Sequence, residues 1–181
     1  MMNTPVYLTA PAITSALGSG LQTHIDALLN PPAASPLSES GQWVRGKTYA
    51  FGAVNEALRP FPATLSDGHK SRNNQLLWHA LAQIEGDIEA AKQRFGAGRI
   101  AVVMGTSTSG VDENIPLFQQ VADGGAWRDV LFNQQQQILS APADFVAAVY
   151  GLQGVCYGVS TACTSGAKAL ISAARLLRAG L

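Results

Sequence analysis

The sequence predicts an α/β layered fold with a largely parallel central sheet. Apolar, β-branched runs alternate along the chain with stretches of helical periodicity. The run Arg99-Ile100-Ala101-Val102-Val103-Met104 is nearly continuous in apolar residues, as strands covered on both faces are. The closing stretch, residues 155–181, reads as strand, small-residue turn and helix. No internal repeat is convincing, and one compact domain fits the 181 residues.

Taken in order, Val6-Tyr7-Leu8-Thr9-Ala10 reads as a short, mostly buried strand, and residues 11–20 as turns. Apolar positions at 21, 25, 28 and 29 suit a helix. Asn30-Pro31-Pro32 ends it, because a proline ring blocks helix continuation. Residues 31–66 are proline-rich and lack long periodicity. Tyr49-Ala50-Phe51-Gly52-Ala53-Val54 reads as a short strand there, and Trp43, Phe51 and Phe61 anchor the stretch as irregular cover over the core. Residues 71–95 form the strongest internal helix, with Leu76, Leu77, Ala80, Leu81, Ile84, Ile88 and Ala91 in one stripe. Gly96-Ala97-Gly98 stops it. The strand at 99–104 then runs into Gly105-Thr106-Ser107-Thr108-Ser109-Gly110. A mixed stretch follows, glutamine-rich at 134–137, and then a helix ending at Gly151.

Composition narrows the function classes. The chain is 47% hydrophobic and 13% charged, so either its core is large or much of its surface is covered by a partner or by further chain. With 12 basic and 12 acidic residues and no basic stripe, nucleic acid and anionic membranes are not expected partners. No stretch approaches the roughly 18 uninterrupted apolar residues of a membrane span. Met1-Met2-Asn3-Thr4-Pro5 does not read as a secretory signal. Cys156 and Cys163 lack paired His or Cys ligands nearby, so reduced thiols in a cytoplasmic protein, with no metal site, are expected.

Chemistry concentrates at Cys163. The run Val155-Cys156-Tyr157-Gly158-Val159 stops at small residues, and Ala167, Leu170, Ile171, Ala174 and Leu177 recur at helical steps beyond it. Cys163 thus sits at or just before a helix N-terminus, where unpaired N–H groups and the positive dipole end favour thiolate over thiol. Spacing alone leaves an activated nucleophile and an inert core cysteine equally open. Cys156, mid-strand, reads as core. Ser160 lacks the second glycine of a G-x-S-x-G elbow. His24, His69 and His79 lie in or beside expected surface helices and loops, and none completes a triad by spacing. Residues 105–110 lack the Lys and glycine spacing of a phosphate cradle, leaving a tight strand exit or the wall of a ligand pocket.

The segment Val159-Ser160-Thr161-Ala162-Cys163-Thr164-Ser165-Gly166-Ala167 closely resembles the active-site stretch of β-ketoacyl-acyl carrier protein synthases, the condensing enzymes of fatty acid and polyketide synthesis. The first strand with Gly18, Ser71-Arg72-Asn73-Asn74, the strand into residues 105–110, and Tyr150-Gly151-Leu152-Gln153-Gly154 look like the same family in the same order. The resemblance implies a thiolase-type fold of α-β-α-β-α layers, of which residues 1–181 are the N-terminal βαβαβ-type half, incomplete and without the C-terminal half. It further implies that Cys163 takes the acyl chain from acyl carrier protein as a thioester, with its backbone N–H as one oxyanion donor. Ser107 and Thr108 match a loop lining the acyl pocket. The family's catalytic histidines and lysine come from the C-terminal half, and no cofactor is implied. The expected activity is decarboxylative Claisen condensation with malonyl-acyl carrier protein, by a homodimer or with a complementary chain, and a chain of this extent should not condense alone. A thiolase or initiating synthase fits the motif less well. The competing reading is a non-catalytic truncated paralogue acting as a dimerisation partner.

Overall fold

The computed structural model describes residues 4–9, 11–44 and 46–181. Two short strands, β1 (Thr14–Ser15) and β2 (Gly18–Ser19), form an antiparallel hairpin that leads into α1 (Leu21–Leu29). A second hairpin pairs β3 (Ser38–Ser40) with β4 (Tyr49–Phe51). Next come α2 (Arg72–Leu81), a 3-10 turn at Ala82–Ile84, and α3 (Glu85–Phe95). The remaining elements are β5 (Val102–Gly105), α4 (Ile115–Ala122), α5 (Gln134–Gln137), α6 (Ala141–Tyr150), β6 (Cys156–Val159) and α7 (Ser165–Arg178).

The centre is the parallel pair β5–β6, in register from Val102 opposite Cys156 to Gly105 opposite Val159. Alternation along β5 assigns its two faces. Val102 and Met104 face α6 in a core of Trp78, Leu81, Phe145, Val146 and Tyr150. Ala101 and Val103 face α7, lining with Ala173 and Leu176 a trough of about 520 Å³. The layers are therefore α7, the strand pair, α6, and then α2 against α6. Aromatic edges order the core: Phe145 meets Phe61 and Trp78 in T-shaped contacts at 5.7 and 6.2 Å. The Arg59 guanidinium caps Trp78 at 3.7 Å from the ring centroid and pairs with Glu85 at 3.1 Å.

Local chemistry explains the boundaries. The Ser71 hydroxyl accepts the Asn74 N–H at the start of α2, satisfying one orphan donor. Gly151, at φ 63°, closes α6 in the left-handed conformation that a Cβ disfavours. The helix ending at Gly151 and the helix over 21–29 match the expectations, and the strand expected at 49–54 is present over Tyr49–Phe51.

Four expectations change. Residues 6–9 form no strand, and Ala10 lies outside the described residues. Tyr7 and Leu8 are 85% and 78% exposed. Among the described residues β5 pairs only with β6, so residues 6–9 have no strand to hold their backbone, and an unpaired strand is not stable in water. The long helix is broken at Ala82–Ile84, although its stripe still packs on the core. The apolar face of α1 stays exposed, and the residue it buries is His24. Residues 31–66 are not wholly irregular, since β3 and β4 pair, and Trp43 is exposed rather than an anchor. The low charge is thus matched by exposed apolar surface. Leu170, Ile171 and Leu177 on α7, and Phe118, Trp127 and Leu131 around α4, all face solvent.

Candidate active site

The parallel register brings the two loops that the sequence singles out to one edge. Thr106 N–H donates to Val159 O at 3.1 Å, where both strands end. Residues 106–110 and 160–164 therefore leave side by side from the carboxyl ends of the strands, the edge at which α/β sheets place their ligand sites. Ser107, Thr108 and Cys163 are all exposed there. Thr108 borders a cleft of about 120 Å³ shared with Arg72, Asn73 and Leu76.

Cys163 stands one residue before Thr164, the N-cap of α7. The turn that carries it is closed by hydrogen bonds on both sides. The buried Ser165 hydroxyl accepts Thr161 N–H at 2.9 Å and donates to Ala162 O at 2.7 Å. Thr164 Oγ1 donates to Thr161 O at 2.8 Å. Ala162 lies at φ 53°, a left-handed conformation tolerable for its single methyl and strained for a larger side chain. Such strain persists only where the surroundings over-determine it, and the Ser165 and Thr164 bonds do so. An exposed thiol is thereby held at the start of a fourteen-residue helix on a turn that cannot easily relax.

The helix is seated on the sheet through glycine. A Cβ on Gly105 would lie 2.6 Å from the carbonyl carbon and oxygen of Ser165 and 2.7 Å from Gly166 N, so the end of β5 touches the first turn of α7 backbone to backbone. Gly158 is similarly pressed, with Leu139 O 2.5 Å from where its Cβ would stand.

Cys156 is half-buried with its thiol directed at Asp144 Oδ1, 3.8 Å away. Burial, and then the Asp144 carboxylate, push that thiol's pKa up, which suits a core residue. The histidines are committed elsewhere. His24 is buried rather than on the surface, with Nδ1 donating to Gly20 O and Nε2 accepting from Ser15, both at 2.8 Å. His79 Nδ1 accepts Arg59 N–H at 3.0 Å, and His69 Nε2 lies 3.2 Å from Gln135. The small-residue turn before Cys163 is read from the sequence; Ser165 as its lock and Gly105 as the seat of α7 are not, and of these two only Gly105, at a strand exit, carries a visible signal.

Comparison with known proteins accords with this geometry. The β-ketoacyl synthase N-terminal domain matches residues 42–181, and the chain belongs to that family. The structure is similar to the ketosynthase ApeO from Xenorhabdus doucetiae, solved in complex with its chain length factor ApeC. The TM-score is 0.85 and the identity 35%, over 96% of this chain and 44% of that one. The chain thus spans less than half the length of that ketosynthase, and the thiolase-type fold expected from the sequence is the fold observed, as a partial N-terminal domain. No curated protein matches closely enough to count as a relative.

Proposed function

We propose that this chain is the acyl-accepting part of a β-ketoacyl-acyl carrier protein synthase and that Cys163 is its nucleophile. The observation that carries this reading is the exposed Cys163 on a turn locked by Ser165 at the N-terminus of α7, inside the segment that matches the family. The Cys163 thiolate attacks the thioester carbonyl of an acyl group delivered by acyl carrier protein. The carrier thiol leaves with a proton, and the acyl group remains on Cys163. The Cys163 N–H serves as one oxyanion donor; donors of this kind each contribute about 10²–10³ in rate. Ser107 and Thr108 line the acyl chain's path.

Malonyl thioester then loses CO2, and its carbanion attacks the acyl-cysteine carbonyl and expels the thiolate, lengthening the chain by Claisen condensation. That second half-reaction needs donors to the malonyl carbonyl, which the family draws from its C-terminal half. Residues 1–181 are accordingly acylated without condensing. A cytoplasmic location is part of this reading; no helix among the described residues is long and apolar enough to cross a membrane. ApeO is solved with a chain length factor, and the exposed apolar faces of α4 and α7 suit a complementary or second chain here too. The same faces favour the alternative, a truncated paralogue that serves only as a dimerisation partner.

Acylation of the purified chain by acyl thioesters, followed by intact mass, separates the readings. The expected result is one acyl adduct, lost in Cys163→Ala. Loading that survives Cys163→Ala overturns the assignment of the nucleophile. Absence of loading in the unmodified chain favours the non-catalytic partner.

A further inference from the structure

The glutamine-rich stretch has a position that the proposed chemistry leaves unused. Three consecutive glutamines of α5 tie down two segments, the turn before α2 and the end of the loop at Ser109–Gly110. Gln135 Nε2 lies 3.2 Å from His69 Nε2. Gln136 Nε2 donates to Lys70 O at 2.7 Å, in the turn before α2, and its own backbone carbonyl accepts both Ser109 Oγ–H at 2.7 Å and Gly110 N–H at 2.8 Å. Gln137 Nε2 donates to Gly110 O at 3.0 Å, while its Oε1 accepts Asn114 Nδ2–H at 2.8 Å. Ser109 and Gly110 are buried under these bonds, and a Cβ on Gly110 would stand 2.9 Å from both Gln136 O and Ser71 Cβ. The loop is therefore fixed at both ends, at Gly105 against Ser165 and at Ser109–Gly110 against the glutamines. Ser107 and Thr108 project between these two anchors.

We infer that Gln136, through its backbone carbonyl, and Gln137, through its side chain, are positioning residues that set the path of the acyl chain by fixing the exit of the loop carrying Ser107 and Thr108. The inference rests on the proposed role of that loop. The Cys163 turn is held by Ser165 and Thr164 instead, so the two functions are separable by mutation.

The test is the rate of Cys163 acylation by a series of acyl-pantetheine thioesters of increasing chain length. Gln137→Ala should raise the half-saturating donor concentration (apparent KM) by about fivefold, the scale of losing the partly buried bond to Gly110 O, and narrow the discrimination between chain lengths, with the limiting acylation rate unchanged. Gln136→Ala keeps the backbone carbonyl that holds Ser109 and Gly110 and loses only the side-chain bonds to the turn before α2, so it is the control and should leave the chain-length profile unchanged. Iodoacetamide alkylation of Cys163 should be unaltered in both. Gln137→Met, which keeps the side-chain volume, replaces the alanine variant if that variant fails to fold. An unchanged KM and chain-length profile in Gln137→Ala overturns the inference, as does a loss of acylation and alkylation in equal measure for all donors. If the unmodified chain alkylates normally and accepts no acyl donor, the acyl-loading reading itself fails and the inference falls with it.

Discussion

Gly105 and Ser165 meet backbone to backbone, with no room between them for a methyl group. The contact joins the strand that leads into residues 106–110 to the helix that begins just after Cys163. Gly105→Ala should push the first turn of α7 off the strand pair. The expected cost is about 1–3 kcal/mol of stability, read from a denaturant midpoint, together with slower alkylation of Cys163. A variant as stable and as reactive as the parent would show that α7 is seated elsewhere.

Ser165→Ala removes the acceptor of Thr161 N–H and the donor to Ala162 O at a buried position. The loss should be about 1–3 kcal/mol, because the orphaned groups pay desolvation without a partner. Acyl loading should fall more than alkylation, since loading also requires the orientation of the thiol. Equal loss of both would place Ser165 in stability alone.

At Ala162 the backbone itself limits the side chain. Ala162→Val sets a β-branched residue at φ 53°, and should cost about 1–2 kcal/mol while displacing Cys163. Ala162→Gly relieves the strain and loosens the turn, so stability should be nearly unchanged while loading declines. Paired melting curves and loading rates distinguish the two effects.

Tyr150 predicts an alkaline limb in stability. Burial above all, then the nearby Glu85 carboxylate, push its phenol up to about 12, against the favourable influence of Arg59. The folded state therefore holds the phenolic proton where the unfolded chain has lost it. Stability is fully present below the ordinary tyrosine pKa near 10 and declines as pH rises toward about 12. The buried Tyr150 Oη has no hydrogen-bond partner among the described residues, so Tyr150→Phe should leave neutral stability unchanged or slightly higher and flatten that limb. Unfolding midpoints across the alkaline range, measured on both proteins, check the sign.

Exposed Leu170, Ile171 and Leu177 give α7 an apolar outer face, and Phe118 and Trp127 form another near α4. The purified chain should therefore associate with itself or with a complementary chain. Light scattering that finds a monodisperse monomer with cooperative unfolding would count against this.

The sequence was most legible where one segment decides its own structure. The apolar run at 99–104 yields a strand, though only from Val102 to Gly105 after a 3-10 turn at Ala97–Arg99, the stripe at 76–91 packs on the core across its break, and the strand–Cys163–helix unit appears where flanking small residues put it. Cys156, read as a core residue, packs half-buried against the core as the first residue of β6. Features that depend on distant chain were not legible. Residues 6–9 have the composition of a strand, but pairing makes a strand and none is available among the described residues. His24 looks like a surface residue until Ser15 and Gly20 O close around it. The glutamine run carried no signal of function, because hydrogen bonds to backbone carbonyls leave no pattern in the partner's sequence.

The parallel pairing of Val102 with Cys156 also orders events in time. The two strands are far apart in the chain, with helices α4, α5 and α6 between them, so their contact closes a long loop. Contacts of that kind reward the chain only after most of its conformational entropy has been surrendered. The strand pair beneath Cys163 is thus among the later contacts to form as these residues fold, and the turn that presents the thiol rests on a contact that local sequence alone does not secure.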